Sequence, residues 1–198
     1  PSLRRQEPPK VQPTAQPGSL LSNAVPVTSL KENKFNLVLY GRNRSGKTTL
    51  LSEFDKPMLI ISCEPDANGG ATSISNKNGI SILRMKYKPE KDDPSGTIYG
   101  SDKIVLIANE LKESNQFKTV GLDTVTSLQD IVYSELLNLP TIPDQMNWGV
   151  PPDGLYQTRS EKVRSLIRPL LGLKNCNVVL LAQEKDHNAN DDRGGKSK

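Results

Sequence analysis

Residues 41–48 read GRNRSGKT, which puts Gly41, Gly46, Lys47 and Thr48 at the defining places of G-x-x-x-x-G-K-[ST]. No other feature of the chain limits its fold so tightly. The two glycines let the backbone curl until successive N–H groups point at one anion. A helix beginning at Lys47 adds the positive end of its dipole. The Lys47 ammonium can then reach β- and γ-phosphates, and the Thr48 hydroxyl can ligate Mg²⁺. Gly41, Arg42, Asn43, Arg44, Ser45, Gly46, Lys47, Thr48 and Thr49 are therefore the candidate phosphate-binding residues. Such a loop needs a strand ahead of it and a helix behind. Residues 35–40 (FNLVLY) read as a buried strand, and residues 47–54 can start a helix.

The rest of the chain repeats that alternation. Residues 57–62 (PMLIIS) read as a second buried strand and 80–87 as a third. Residues 66–78 and 88–97 are rich in Gly, Asn, Ser, Asp and Pro and read as loops. Residues 101–113 carry Ile104, Leu106, Ile107 and Leu111 near helical spacing, with Ser101 placed to cap them. Residues 117–122 form another apolar run ending at Asp123, and 124–137 are amphipathic. Residues 155–173 return to helix, with Val163, Leu166, Ile167, Leu170 and Leu171 on one stripe and Pro169 as a source of a kink. Residues 177–182 (NVVLLA) are the last buried strand, ending at Gln183. Apolar strands alternating with helices predict an α/β chain whose mostly parallel sheet is covered by helices on both faces.

A phosphate loop needs further groups, and in such a sheet they come from the C-terminal ends of the strands. Asp123 ends an apolar strand and is the candidate Mg²⁺ carboxylate; it or Thr124 can also cap the next helix. Thr124 cannot serve as a base toward water, so another carboxylate is needed. Glu64 follows the second strand and is the best placed, with Asp66 the alternative. Gln183 ends the last strand, where an amide can sense a γ-phosphate.

Composition bounds the remainder. The apolar set is 34% of residues, or about 41% with the 14 glycines, below the roughly 45–50% of average soluble domains. Part of the chain is therefore expected to lie outside a packed core. Pro1, Pro8, Pro9, Pro13 and Pro17 mark residues 1–28 as a disordered Pro-rich arm, leaving 29–198 as one domain with 184–198 a mobile loop. No apolar run suffices for a membrane helix, and no apolar h-region suggests a secretory signal. Cys63 and Cys176 are far apart, and His187 is the one histidine, which argues against a disulfide framework or a Cys/His metal site. A reduced, cytoplasmic setting is expected. A net charge of +4 permits nucleic-acid contact without demanding it.

The order GRNRSGKTT, LIISCE, VGLDTVTSL, NVVLLAQE resembles the RecA-like core. More closely, the chain is similar to the phage-type AAA/RecA-like P-loop nucleotide-binding family, which includes RecA-like single-strand-annealing recombination ATPases. MNWGVPPDGLYQ is similar to that family's Trp-Gly stretch before its long helix. The resemblance implies ATP and Mg²⁺ as cofactors, with Lys47 and Thr48 as phosphate and magnesium residues and Asp123 as the Walker B carboxylate. It implies Glu64 as the catalytic glutamate and Gln183 as the γ-phosphate switch. It also implies a homo-oligomer that binds single-stranded DNA, with residues 185–198 in the place of a DNA-binding loop, in the cytoplasm of a cell hosting a phage or prophage. Such a core carries more strands beyond this loop, so the chain reads as lacking its C-terminal strands. Two other functions fit the same motifs: a nucleotide-binding switch or adaptor without DNA, and a P-loop kinase acting on a small molecule. Trp148 is a packing or base-stacking residue. Arg159, Lys162, Arg164 and Arg168 are a solvated helix face or the source of an arginine finger.

Overall fold

The computed structural model describes residues 34–64, 70–74, 76–89, 97–142 and 154–184. The chain divides into units 1–32 and 33–198, and all described residues belong to the second. The Pro-rich arm, Asp66, Trp148, His187 and the loop from Lys185 onward lie outside them.

Along the chain come β1 (Asn36–Gly41), α1 (Lys47–Leu51), β2 (Met58–Ser62), a 3-10 turn (Gly70–Ile74), β3 (Ile80–Lys86) and β4 (Thr97–Tyr99). They are followed by α2 (Lys103–Glu113), β5 (Thr119–Asp123), α3 (Val125–Leu136), α4 (Leu155–Leu171) and β6 (Asn177–Gln183). Among the described residues the strands form one six-stranded sheet in the order β1-β6-β5-β2-β3-β4. Every pairing in it is parallel, as the apolar runs predict.

Alternate residues of the central strands enter two separate cores. Leu59, Ile61, Val120, Leu122, Val178 and Leu180 pack with the apolar stripes of α2, α3 and α4. Met58, Ile60, Val179 and Leu181 point to the other side, against Leu51 of α1 and Ile74 of the 3-10 turn. Gly121 of β5 makes the second contact possible: a Cβ there would stand 2.6 Å from Leu51 Cδ2. That seats α1, and with it the phosphate loop, on the sheet.

Four local expectations are corrected. β1 is not buried: Val38 is 59% exposed and Tyr40 67%, because among the described residues β1 is an edge strand with β6 as its one neighbour. Residues 66–78 are not loop throughout, since Gly70–Ile74 form the 3-10 turn. Residue 97 opens β4 and is not loop. Ser101 does not cap α2; Asp102 holds that position without a side-chain bond, and Ser101 binds Glu135 through both its amide (2.7 Å) and its hydroxyl (2.6 Å).

Candidate active site

The phosphate loop leaves β1 at Gly41 and enters α1 at Lys47. Its curl uses two left-handed residues, Arg44 at φ 58° and Gly46 at φ 84°. Glycine adopts this region freely, whereas Arg44 takes it at a steric cost. Gly46 is the N-cap of α1 and offers no side-chain acceptor, so the first-turn amides are left to whatever anion lies ahead of them. Lys47 Nζ bridges the loop, donating to Gly41 O (3.0 Å) and Arg42 O (2.7 Å).

The parallel register brings the other candidates to the same edge. Gly41 is level with Gln183, and Ser62 with Asp123. A cleft of about 280 Å³ opens there. Asn43, Arg44, Ser45, Gly46, Lys47, Thr48 and Thr49 line it together with Glu64, Asp123 and Gln183. Gly41 and Arg42 do not line it; their carbonyls accept from Lys47. Gly70 and Ser73, in a stretch that reads as loop from sequence, also line the cleft. The one signal for Gly70 was a Gly-Gly pair a few residues after Glu64.

Two polar pairs organise the floor. In the first, Thr48 Oγ1 donates to Asp123 Oδ2 at 2.9 Å. Asp123 is 1% exposed. Burial, and then the nearby charge of Glu64, push its carboxyl up to about 6, against the opposing pull of the Thr48 bond and the Lys47 charge. The helix-cap role falls to Thr124, whose hydroxyl accepts from Ser127 N at 3.1 Å. Asp123 is thus free of capping. In the second pair, Gln183 Nε2 donates to Glu64 Oε1, while Glu64 Oε2 accepts from Gly70 N at 3.0 Å. Thr126 holds the backbone of Gln183 by accepting from its amide at 2.9 Å.

A hydroxyl and a carboxylate, both hard oxygen donors, suit Mg²⁺, which keeps waters and phosphate oxygens for its other positions. The curled loop with its uncapped helix start suits a nucleotide's phosphates. The residues present therefore fit both groups. Of the basic residues on α4, Arg159 lies over the rings of Tyr133 (5.5 Å) and Tyr156 (5.1 Å), and Lys162 pairs with Glu135 at 2.8 Å; neither lines the cleft. No helix among the described residues is long and apolar enough to cross a membrane.

The chain matches the model of a family described as AAA domain, over residues 33–198. No curated protein matches the chain.

Proposed function

This chain belongs to the AAA domain family of P-loop nucleotide-binding ATPases, and we propose that it hydrolyses ATP in the cleft at the ends of β1, β2, β5 and β6. The observation that carries the proposal is convergence. Lys47, the Thr48–Asp123 pair and the Glu64–Gln183 pair come from four separate segments and line one cleft. The loop amides and Lys47 bind and orient the β- and γ-phosphates. Thr48 and Asp123 would hold Mg²⁺, which when bound neutralises charge developing on the phosphates. Glu64 is the carboxylate that orients and polarises the attacking water, since the residue after Asp123 is a threonine. Gln183 donates to Glu64, so a γ-phosphate that draws the Gln183 amide away frees Glu64 for water.

Three variants test this. Lys47→Ala removes the cation from the phosphates and is expected to abolish or severely weaken ATP binding in a folded chain. Glu64→Gln keeps the shape, and turnover is expected to fall ~10²–10⁴-fold with ATP still bound. Asp123→Ala is expected to weaken binding only when Mg²⁺ is present. Normal hydrolysis by Glu64→Gln moves the water-polarising role to another carboxylate.

We further propose that turnover is coupled to single-stranded DNA, in phage-type recombination or repair, by a homo-oligomer. The motif order and its resemblance support this reading. So does the position of Gln183, which ends β6 just ahead of residues 185–198, the segment that the resemblance puts in the place of a DNA-binding loop. The experiment measures ATP hydrolysis with and without single-stranded DNA, and DNA affinity in ATP analogue and in ADP at two salt concentrations. Stimulation and tighter, salt-sensitive binding with the ATP analogue are expected. Equal affinity in both nucleotides, or none at low salt, favours a switch or adaptor, and a phosphorylated small acceptor favours a kinase.

A further inference from the structure

Gly70 opens the 3-10 turn between β2 and β3 and touches both polar pairs of the cleft. On one side its amide donates to Glu64 Oε2 at 3.0 Å. On the other, its Cα lies against Thr48. A Cβ on residue 70 would overlap Thr48 Oγ1 and stand 2.7 Å from Thr48 Cβ. Real Cβ atoms do not approach so closely, so any side chain here forces a displacement. Thr48 has little room to yield. It is buried on α1, its hydroxyl is committed to Asp123, and Leu51 one turn later is nested on Gly121. The turn is anchored as well, by Ile74 in the core beside Leu51. Gly70 does not have the positive φ that elsewhere explains a glycine. The missing Cβ is what matters here.

We propose that Gly70 is a positioning residue for the nucleotide site: its amide fixes the Glu64 carboxylate, and its bare Cα leaves Thr48 in the rotamer that meets Asp123. The inference rests on the reading of Thr48 and Asp123 as the magnesium pair and of Glu64 as the water-polarising group. A methyl on residue 70 displaces one of two things. If Thr48 turns away, the hydroxyl leaves Asp123 and the magnesium pair is broken. If the 3-10 turn lifts, Glu64 loses its amide donor. In both cases the loop amides and Lys47 are untouched.

The test compares the unaltered chain, Gly70→Ala and Gly79→Ala. Gly79 sits outside the cleft at φ 77°, so alanine there strains the backbone without approaching Thr48. Affinity for a fluorescent ADP is measured in EDTA and in Mg²⁺, and kcat and KM for ATP are measured alongside. Gly70→Ala is expected to keep EDTA affinity within about twofold. It is expected to lose at least about tenfold either in the Mg²⁺-dependent gain or in kcat at unchanged KM, the usual cost of removing an outer-shell support. Gly79→Ala keeps both. Retention of both by Gly70→Ala overturns the proposal, as does an equal loss in EDTA, or the same loss in Gly79→Ala. Normal turnover by Glu64→Gln would overturn the hydrolysis reading separately, with the ADP arm still deciding on Thr48. An unaltered chain that binds no nucleotide overturns both. Should Gly70→Ala not fold, amide hydrogen exchange decides: the Gly70 amide is expected to exchange about tenfold faster in Glu64→Ala than in the unaltered chain. Unchanged exchange overturns the proposal.

Discussion

Asp123 has the most perturbed carboxylate at the site, and the direction of its shift yields a pH prediction. Burial, and then the charge of Glu64, lift it from the ordinary 3.8 to about 6. The folded chain therefore holds this proton more tightly than the unfolded chain does. Its contribution to stability is full below about pH 3.8 and is lost as pH rises through about 6. The loss amounts to ~3 kcal/mol. Asp123→Asn removes the titration, so without ligand the variant is expected to gain stability relative to the parent between pH 4 and pH 7. Urea unfolding of both chains across that window checks it, and a constant difference would contradict the assignment. Mg²⁺ needs the ionised carboxylate, so Mg²⁺-dependent nucleotide binding is expected to strengthen over the same window. A group whose ionisation is costly without a cation and favourable with one is suited to metal-gated binding.

The boundary between β5 and α3 divides two duties between adjacent residues. Asp123 faces the cleft and meets Thr48, while Thr124 caps α3 through Ser127 N. Thr124→Ala is expected to cost about 1 kcal/mol in unfolding free energy. It is expected to leave Mg²⁺-dependent nucleotide affinity unchanged, which separates the cap from the metal role proposed for Asp123; loss of that affinity would show that the two duties are shared. α1 illustrates the opposite case, an element too short to stand on its own propensity. Its single turn from Lys47 to Leu51 is held by packing, with Leu51 fully buried over Gly121. Gly121→Ala is expected to cost about 1–3 kcal/mol by overpacking that contact. Because α1 carries Lys47 and Thr48, it is also expected to weaken nucleotide binding; denaturant midpoints and nucleotide titration check both effects.

Across the whole sheet, burial follows strand order rather than strand composition. β1 and β6 are similarly apolar, and Val38 is in register with Leu180. Yet β6 lies between two strands with a core on each face, whereas β1 is an edge. Val38→Thr is accordingly expected to change stability by no more than about 0.5 kcal/mol, as for an exposed site. Leu181→Ala, at a fully buried position, is expected to cost about 2–5 kcal/mol. Equal costs in denaturant unfolding would mean that β1 is covered in solution.

Much of this organisation was legible in the residues. The spacing of Gly41, Gly46, Lys47 and Thr48 specified the phosphate loop, because it lets a strand turn into a helix around an anion with a lysine and a hydroxyl at the helix start. The apolar runs specified a parallel α/β sheet, because strands buried on both faces have no polar alternation. Parallel strands end on one edge, so Asp123, Glu64 and Gln183 could be nominated from where their strands stop. Pairing was not legible, since it depends on contacts distant in sequence. Strand order made β1 an edge, and the fold chose Thr124 over Asp123 as the cap and gave Ser101 to Glu135. It also carried Gly70 onto Thr48 and Gly121 under Leu51. A glycine needed for its missing side chain leaves no trace in the periodicity around it. The neighbour that makes it necessary comes from another part of the chain and arrives only when the sheet is assembled.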